Sequence, residues 1–82
     1  MKTMRFNVTP KDIQNGIRNN CLRCPVASSI KRRFPNHDVW VTAFGIEIGD
    51  KHYPLLTSVN DFIEAFDMGE LVKPFSFEIK GI

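Results

Sequence analysis

The chain has 82 residues, of which 43% are hydrophobic and 24% charged, with two cysteines and a formal net charge of +2. That length holds one domain with a modest core and no second one, and that composition excludes a disordered chain. No apolar run approaches the roughly 18 residues of a membrane span, residues 1–8 lack the apolar stretch of a signal peptide, and Cys21 and Cys24 are too close to staple distant segments. A soluble protein of a reducing cytoplasm, with no membrane partner, is the expectation.

Residues 4–8 alternate, with Phe6 and Val8 among polar neighbours, and predict a short strand. Thr9-Pro10-Lys11-Asp12 is a helix start: Thr9 caps, proline suits the first helical position, and Asp12 completes a capping box with a Val8/Ile13 staple. Gly16 ends that helix within two turns. A second helix opens at Pro25 and stops before Pro35, with Val26, Ile30 and Phe34 on its core face beside Ala27. Arg32 then points away from the core, flanked by Lys31 and Arg33.

Residues 39–48 are β-branched and aromatic and read as a strand. Gly49-Asp50 forms a two-residue hairpin turn with glycine first, and residues 51–55 return as its partner. Trp40 and Phe44 alternate with Val41 and Ala43, so both faces of that strand are apolar and need cover. Ser58-Val59-Asn60-Asp61 repeats the capping-box pattern, and Val59, Phe62, Ile63 and Phe66 follow at helical spacing until Gly69. Phe75, Phe77 and Ile79 alternate as a last strand. The order β-α-α-β-β-α-β predicts the α+β class, one domain over residues 1–82, with helices packed on a small, mostly antiparallel sheet.

Charge divides the chain. Residues 1–37 carry eight basic side chains against Asp12 alone, a net +7; residues 38–82 carry three lysines against eight carboxylates, a net −5. Either the halves attract each other in the fold, or they make two faces for two kinds of partner. Arg18, Arg23, Lys31, Arg32 and Arg33 lie in a stretch with no acid after Asp12. On one side of a helix they would meet phosphates, with Trp40 and Phe44 as stacking surfaces, although no nucleic-acid motif accompanies them. Asp61, Glu64, Asp67 and Glu70, each three residues after the last, form an acidic row suited to a basic protein surface; a solvated helix face is the simpler account of either set.

Cys21-Leu22-Arg23-Cys24-Pro25 stands at a helix N-terminus, where the dipole and Arg23 would favour a thiolate and a redox pair. The strand–helix context of a thioredoxin-like enzyme is missing. As a zinc site the two cysteines would need His37 and His52, but 14 residues separate the histidines where a finger has three to five. The cysteines are therefore expected to be structural, with no metal and no cofactor. No nucleophile elbow or glycine-rich phosphate loop occurs, and Ser28 and Ser29 have no recognisable base, so no catalytic residue is assigned and an enzyme is not expected.

Gly16-Ile17, Asn20-Cys21, Cys24-Pro25-Val26-Ala27, Tyr53-Pro54, Phe62-Ile63, Phe66-Asp67, Gly69 and Pro74-Phe75-Ser76-Phe77-Glu78 together resemble a group of small uncharacterised proteins of tailed bacteriophages and prophages. The likeness spans nearly the whole chain. It implies phage origin and a bacterial cytoplasm and transfers no catalytic residue. Small non-structural phage proteins commonly bind and alter host machinery, defence systems and polymerases included. By that association the expected function is a non-enzymatic modulator or inhibitor of a host protein or nucleoprotein assembly. A direct nucleic-acid binder using the basic stretch is the alternative, and a thiol or zinc protein using Cys21 and Cys24 the third; oligomeric state is left open.

Overall fold

The computed structural model describes residues 2–82. Its elements are β1 (Thr3–Val8), α1 (Pro10–Asn15), α2 (Pro25–Arg33), β2 (Val39–Thr42), β3 (Gly45–Ile48), β4 (Lys51–Tyr53), α3 (Thr57–Asp67) and β5 (Phe75–Lys80). The class is α+β. Every strand pairing is antiparallel, and the strands are shared between two small sheets, β1-β5 and β2-β3-β4. No helix among the described residues is long and apolar enough to cross a membrane.

The first and last strands pair with each other along their full length, which sets their apolar residues side by side. Met4 lies opposite Ile79, Phe6 opposite Phe77 and Val8 opposite Phe75. The Phe6 and Phe77 rings stack at 5.4 Å, and Phe75 extends the aromatic row to Phe62 of α3 at 4.7 Å. Val26, Ala27 and Ile30 of α2 are fully buried in the same core, as are Ile46 and Val59. Phe34 is half-buried beyond them, as the four-residue spacing requires.

The capping box of α1 forms: the Thr9 N–H donates to Asp12 Oδ2 at 2.9 Å, and the Asp12 N–H donates to Thr9 Oγ1 at 3.1 Å. Gly16 ends α1 with extended backbone, φ −70° and ψ 152°, which any residue adopts. Space is what demands glycine there. A Cβ at Gly16 would stand 2.7 Å from Cγ and Cδ of Pro25, the first residue of α2.

Two sequence expectations are corrected. Residues 39–48 do not run as one strand; the chain reverses after Thr42, whose Oγ1 accepts the Phe44 N–H at 3.2 Å, and resumes at Gly45 with φ +148°. Phe44 therefore stands on a hairpin tip, 88% exposed, instead of on a covered strand face. The capping box expected at residues 58–61 does not form either. Backbone at Leu56 is already the N-cap, so Ser58 lies inside the first turn, where its hydroxyl does not reach a free N–H; α3 has no side-chain cap.

The far end of α3 closes as the sequence predicts. Gly69 N–H donates to Phe66 O at 3.0 Å and Glu70 N–H to Ala65 O at 2.9 Å, the paired bonds of a Schellman ending. The hairpin turn at Gly49-Asp50 joins β3 to β4, with Ile48 opposite Lys51.

Candidate functional site

The loop from Gly16 to Cys24 is held at both ends and in its middle, and it separates two surface clefts. Asn20 Oδ1 accepts the N–H groups of Leu22 and Arg23, each at 3.0 Å, and the Ile17 N–H donates to Arg23 O at 2.9 Å. Outside the loop, the Val41 N–H donates to Cys21 O and the Asn19 N–H donates to Asp67 Oδ1, both at 2.9 Å. The strapped loop divides its residues between the two clefts. Cys21 and Cys24 line one cleft, Leu22 and Arg23 the other.

The first cleft, about 320 Å³, has Val41, Ala43, Leu55 and Ile63 as apolar lining and Glu64 and Asp67 as its only charged residues. Four α3 residues contribute to it: Asn60, Ile63, Glu64 and Asp67. That spacing is a single stripe on a helix of about 3.6 residues per turn, adjoining the buried stripe of Val59, Phe62 and Phe66. The acidic row expected from the sequence is thus divided. Steps of three residues fall behind the helical turn, so Asp61 is carried about 120° from Asp67 and does not line the cleft, and Glu70 lies past the helix end.

Glu64 and Asp67 form no ion pair among the described residues. Asp67 spends Oδ1 on the Asn19 N–H, and Asn60 Nδ2 reaches Glu64 Oε1 at 3.4 Å. Arg18 does not neutralise them: it lies against Gly69 and lines a separate recess beside Phe66.

The second cleft, about 510 Å³, brings together Arg23, Lys31 and Arg32 of the basic stretch, with Asp38 and the half-exposed Ile17 and Leu22. Several of the basic side chains are hydrogen-bonded within the chain while staying exposed, and Arg32 alone meets an acid. Arg32 places its two terminal nitrogens on Asp12 at 2.9 and 3.1 Å and also donates to Asn7 O at 3.0 Å. Lys31 Nζ donates to His37 O, and Arg33 donates to Arg5 O at 3.0 Å while its guanidinium lies 5.8 Å from the Phe6 ring centre. Arg32 therefore does not point idly away from the core. Arg18 and Arg23 are exposed, and their side chains have no hydrogen-bond or ion-pair partner among the described residues.

The opposite charges of the two halves are not used to bind them together. The two ion pairs among the described residues are Asp12–Arg32, within the basic half, and Glu47–His52, within the acidic half.

Cys24 is the N-cap of α2: its Sγ accepts the Ala27 N–H at 3.3 Å. Burial pushes this thiol up, against the lowering effect of the Ala27 and Val26 N–H groups, and the charges of Asp67 and Cys21 add to the rise. The thiolate that a helix N-terminus would favour is thus disfavoured here, because the side chain that occupies the cap is buried beside an acid. Cys21 is exposed and free. His37 packs edge-on against Phe34 at 5.6 Å and His52 pairs with Glu47, so neither joins the cysteines. No group of three or more His, Cys, Asp or Glu able to hold a metal occurs among the described residues.

Sequence reasoning missed most of the cleft's uncharged lining. Leu55, Ala43 and Asn60 carry no chemical signal of their own and become cleft residues only where three elements meet. Compared with models of protein families, with curated proteins and with solved structures, the chain matches none. Fold and site together define a small α+β domain with an open, apolar cleft rimmed by acid on one side of a strapped loop and a basic cleft on the other.

Proposed function

We propose that this chain is a non-enzymatic binding protein, encoded by a phage, that modulates or inhibits a protein of its bacterial host through the face of α3 carrying Glu64 and Asp67. One observation carries the reading: these carboxylates border an apolar cleft that no cation among the described residues lines, whereas Lys31, Arg32 and Arg33 are hydrogen-bonded to backbone carbonyls of the chain and to Asp12. Charge left unpaired beside apolar surface suits recognition of an oppositely charged partner. Phe44, on the hairpin tip that follows Ala43 of the cleft, supplies an exposed aromatic of the kind that anchors interfaces.

A second reading, direct binding of nucleic acid, is favoured by the meeting of Arg23, Lys31 and Arg32 on one open cleft. Salt and substitution separate the two. For a host-protein partner, capture of that protein from nuclease-treated bacterial extract falls at least tenfold in Glu64→Lys, and binding of a 20-base-pair duplex at 150 mM salt is weak. Tight duplex binding at that salt, lost in Arg23→Ala with capture unaffected by Glu64→Lys, selects nucleic acid instead. The log of duplex affinity would then fall with log salt by about 0.9 for each phosphate neutralised.

A further inference from the structure

We infer that the acidic cleft is a docking site for an arginine- or lysine-bearing apolar segment of another protein, seated with the basic head on Glu64 and Asp67 and its stem on Ile63 and Leu55. This deepens the reading of α3 as a partner-binding face and rests on it.

The occupant follows from the cleft's own surfaces. The polar rim presents acceptors: Glu64, and the Asp67 oxygen that the Asn19 N–H leaves open. Val41, Ala43, Leu55 and Ile63, beside the Cys24 side chain, make the apolar part of the lining, with the uncharged Asn19, Asn20, Thr42 and Asn60 around it. A lysine or arginine matches both parts, because its methylene stem lies on apolar surface while its head takes carboxylate oxygens; neighbouring apolar residues of the same segment would extend the contact. An acidic or purely polar occupant matches only one part or neither.

The manner of docking is also set. β2 is the outer strand of its sheet, yet the Val41 N–H is already taken by the Cys21 carbonyl. The loop occupies the sheet edge where an incoming strand would pair. The partner therefore inserts side chains instead of adding a strand.

Cys21 is the reporter, being exposed and on the cleft wall. The full chain is treated with the neutral reagent N-ethylmaleimide, and modification at Cys21 is followed by peptide mass spectrometry. The probes are octapeptides of alternating arginine and leucine, arginine and serine, or glutamate and leucine. Saturating arginine–leucine peptide slows Cys21 modification at least tenfold in the wild type and less than twofold in Glu64→Lys or Glu64→Gln. The other two peptides slow it less than threefold. Slowing that needs Glu64 and both the basic and the apolar residues of the peptide reports occupancy of the cleft that Cys21 lines.

Equal protection by the arginine–serine peptide overturns the inference in favour of charge alone, and protection by the glutamate–leucine peptide overturns it outright. Slowing that grows with the protein's own concentration, without peptide, assigns the cleft to a second copy of the chain and also overturns it. Loss of host-protein capture in Glu64→Lys with no peptide protection sinks this inference and leaves the host-binding reading standing. Peptide protection with capture unaffected by Glu64→Lys does the reverse.

Discussion

Asp12 holds both terminal nitrogens of Arg32, at 2.9 and 3.1 Å, and so joins the first turn of α1 to the last turn of α2 across 20 positions of sequence. Its carboxylate does double duty, since Oδ2 also accepts the Thr9 N–H of the capping box. The side chain of Asp12 is 8% exposed and that of Arg32 49%, so the acid loses more than the base when the pair is broken. Asp12→Ala removes a cap and two charge-assisted bonds and is expected to lower stability by about 2 to 4 kcal/mol. Arg32→Ala should cost about 1 to 2 kcal/mol. Urea unfolding of both variants and the double mutant measures the coupling; additive losses would show that the pair contributes nothing jointly.

The same pair makes stability depend on pH. Burial alone would raise the Asp12 pKa, but the bonds from Arg32 and Thr9 and the Arg32 charge outweigh it and hold the carboxyl below its ordinary value of 3.8. A group that ionises at lower pH when folded than when unfolded stabilises the fold fully above its unfolded pKa, and that contribution fades as pH falls through the folded value. Wild-type stability should therefore decline from about pH 5 downward. Asp12→Asn should show a shallower decline over the same range; parallel curves would assign the acid sensitivity to other carboxylates.

Gly16→Ala tests packing without backbone strain. Its φ of −70° suits alanine, so a gain from reduced unfolded-state entropy would follow if the side chain had room. The 2.7 Å approach to Pro25 and the 3.0 Å approach to Asp12 O predict the opposite, a loss of about 1 to 3 kcal/mol by thermal or urea unfolding.

Phe66 and Phe44 are the same residue type in opposite roles. Phe66 is 8% exposed and stacks on Phe62 at 6.2 Å, so Phe66→Ala should cost about 3 to 5 kcal/mol. Phe44 is 88% exposed, and Phe44→Ser should change stability by less than about 0.5 kcal/mol. On the proposed host-binding reading, the exposed variant should instead weaken partner capture. Unchanged capture would remove the hairpin tip from the interface.

The two cysteines should separate cleanly in a labelling time course on the folded chain. Cys21 is exposed, whereas Cys24 is 3% exposed, with its thiol pushed up by burial. Alkylation should complete at Cys21 while Cys24 reacts only as the protein unfolds, so the Cys24 rate should climb with urea. Comparable rates in buffer would show that the N-cap of α2 opens freely.

Some of this protein could be read from the chain alone. The Thr9-Pro10-Lys11-Asp12 box, the α2 start at Pro25, the Gly49-Asp50 turn and the apolar periodicity of β1, α2, α3 and β5 all follow from residues a few positions apart. Such contacts form wherever the local backbone allows, whatever lies around them. The α+β class follows from the same signals, since it needs only the types and order of the elements.

Other features depend on contacts distant in sequence. Local pattern did not show the reversal at Ala43-Phe44, because β-branched and aromatic residues on either side favour strand equally. Nor did it show Leu56 taking the cap position that Ser58 was expected to fill. The basic triplet looked free until the fold set Arg32 beside Asp12 and Arg33 beside the Arg5 carbonyl. Asp61, Glu64, Asp67 and Glu70 looked like one row until the helix turned Asp61 aside and ended before Glu70. Composition and spacing determined which charges the chain carries and on which elements they stand. Only the tertiary structure decided which stay unpaired, because pairing depends on distances across elements that the chain brings together when β1 meets β5 and the loop of Cys21 straps β2 to α3.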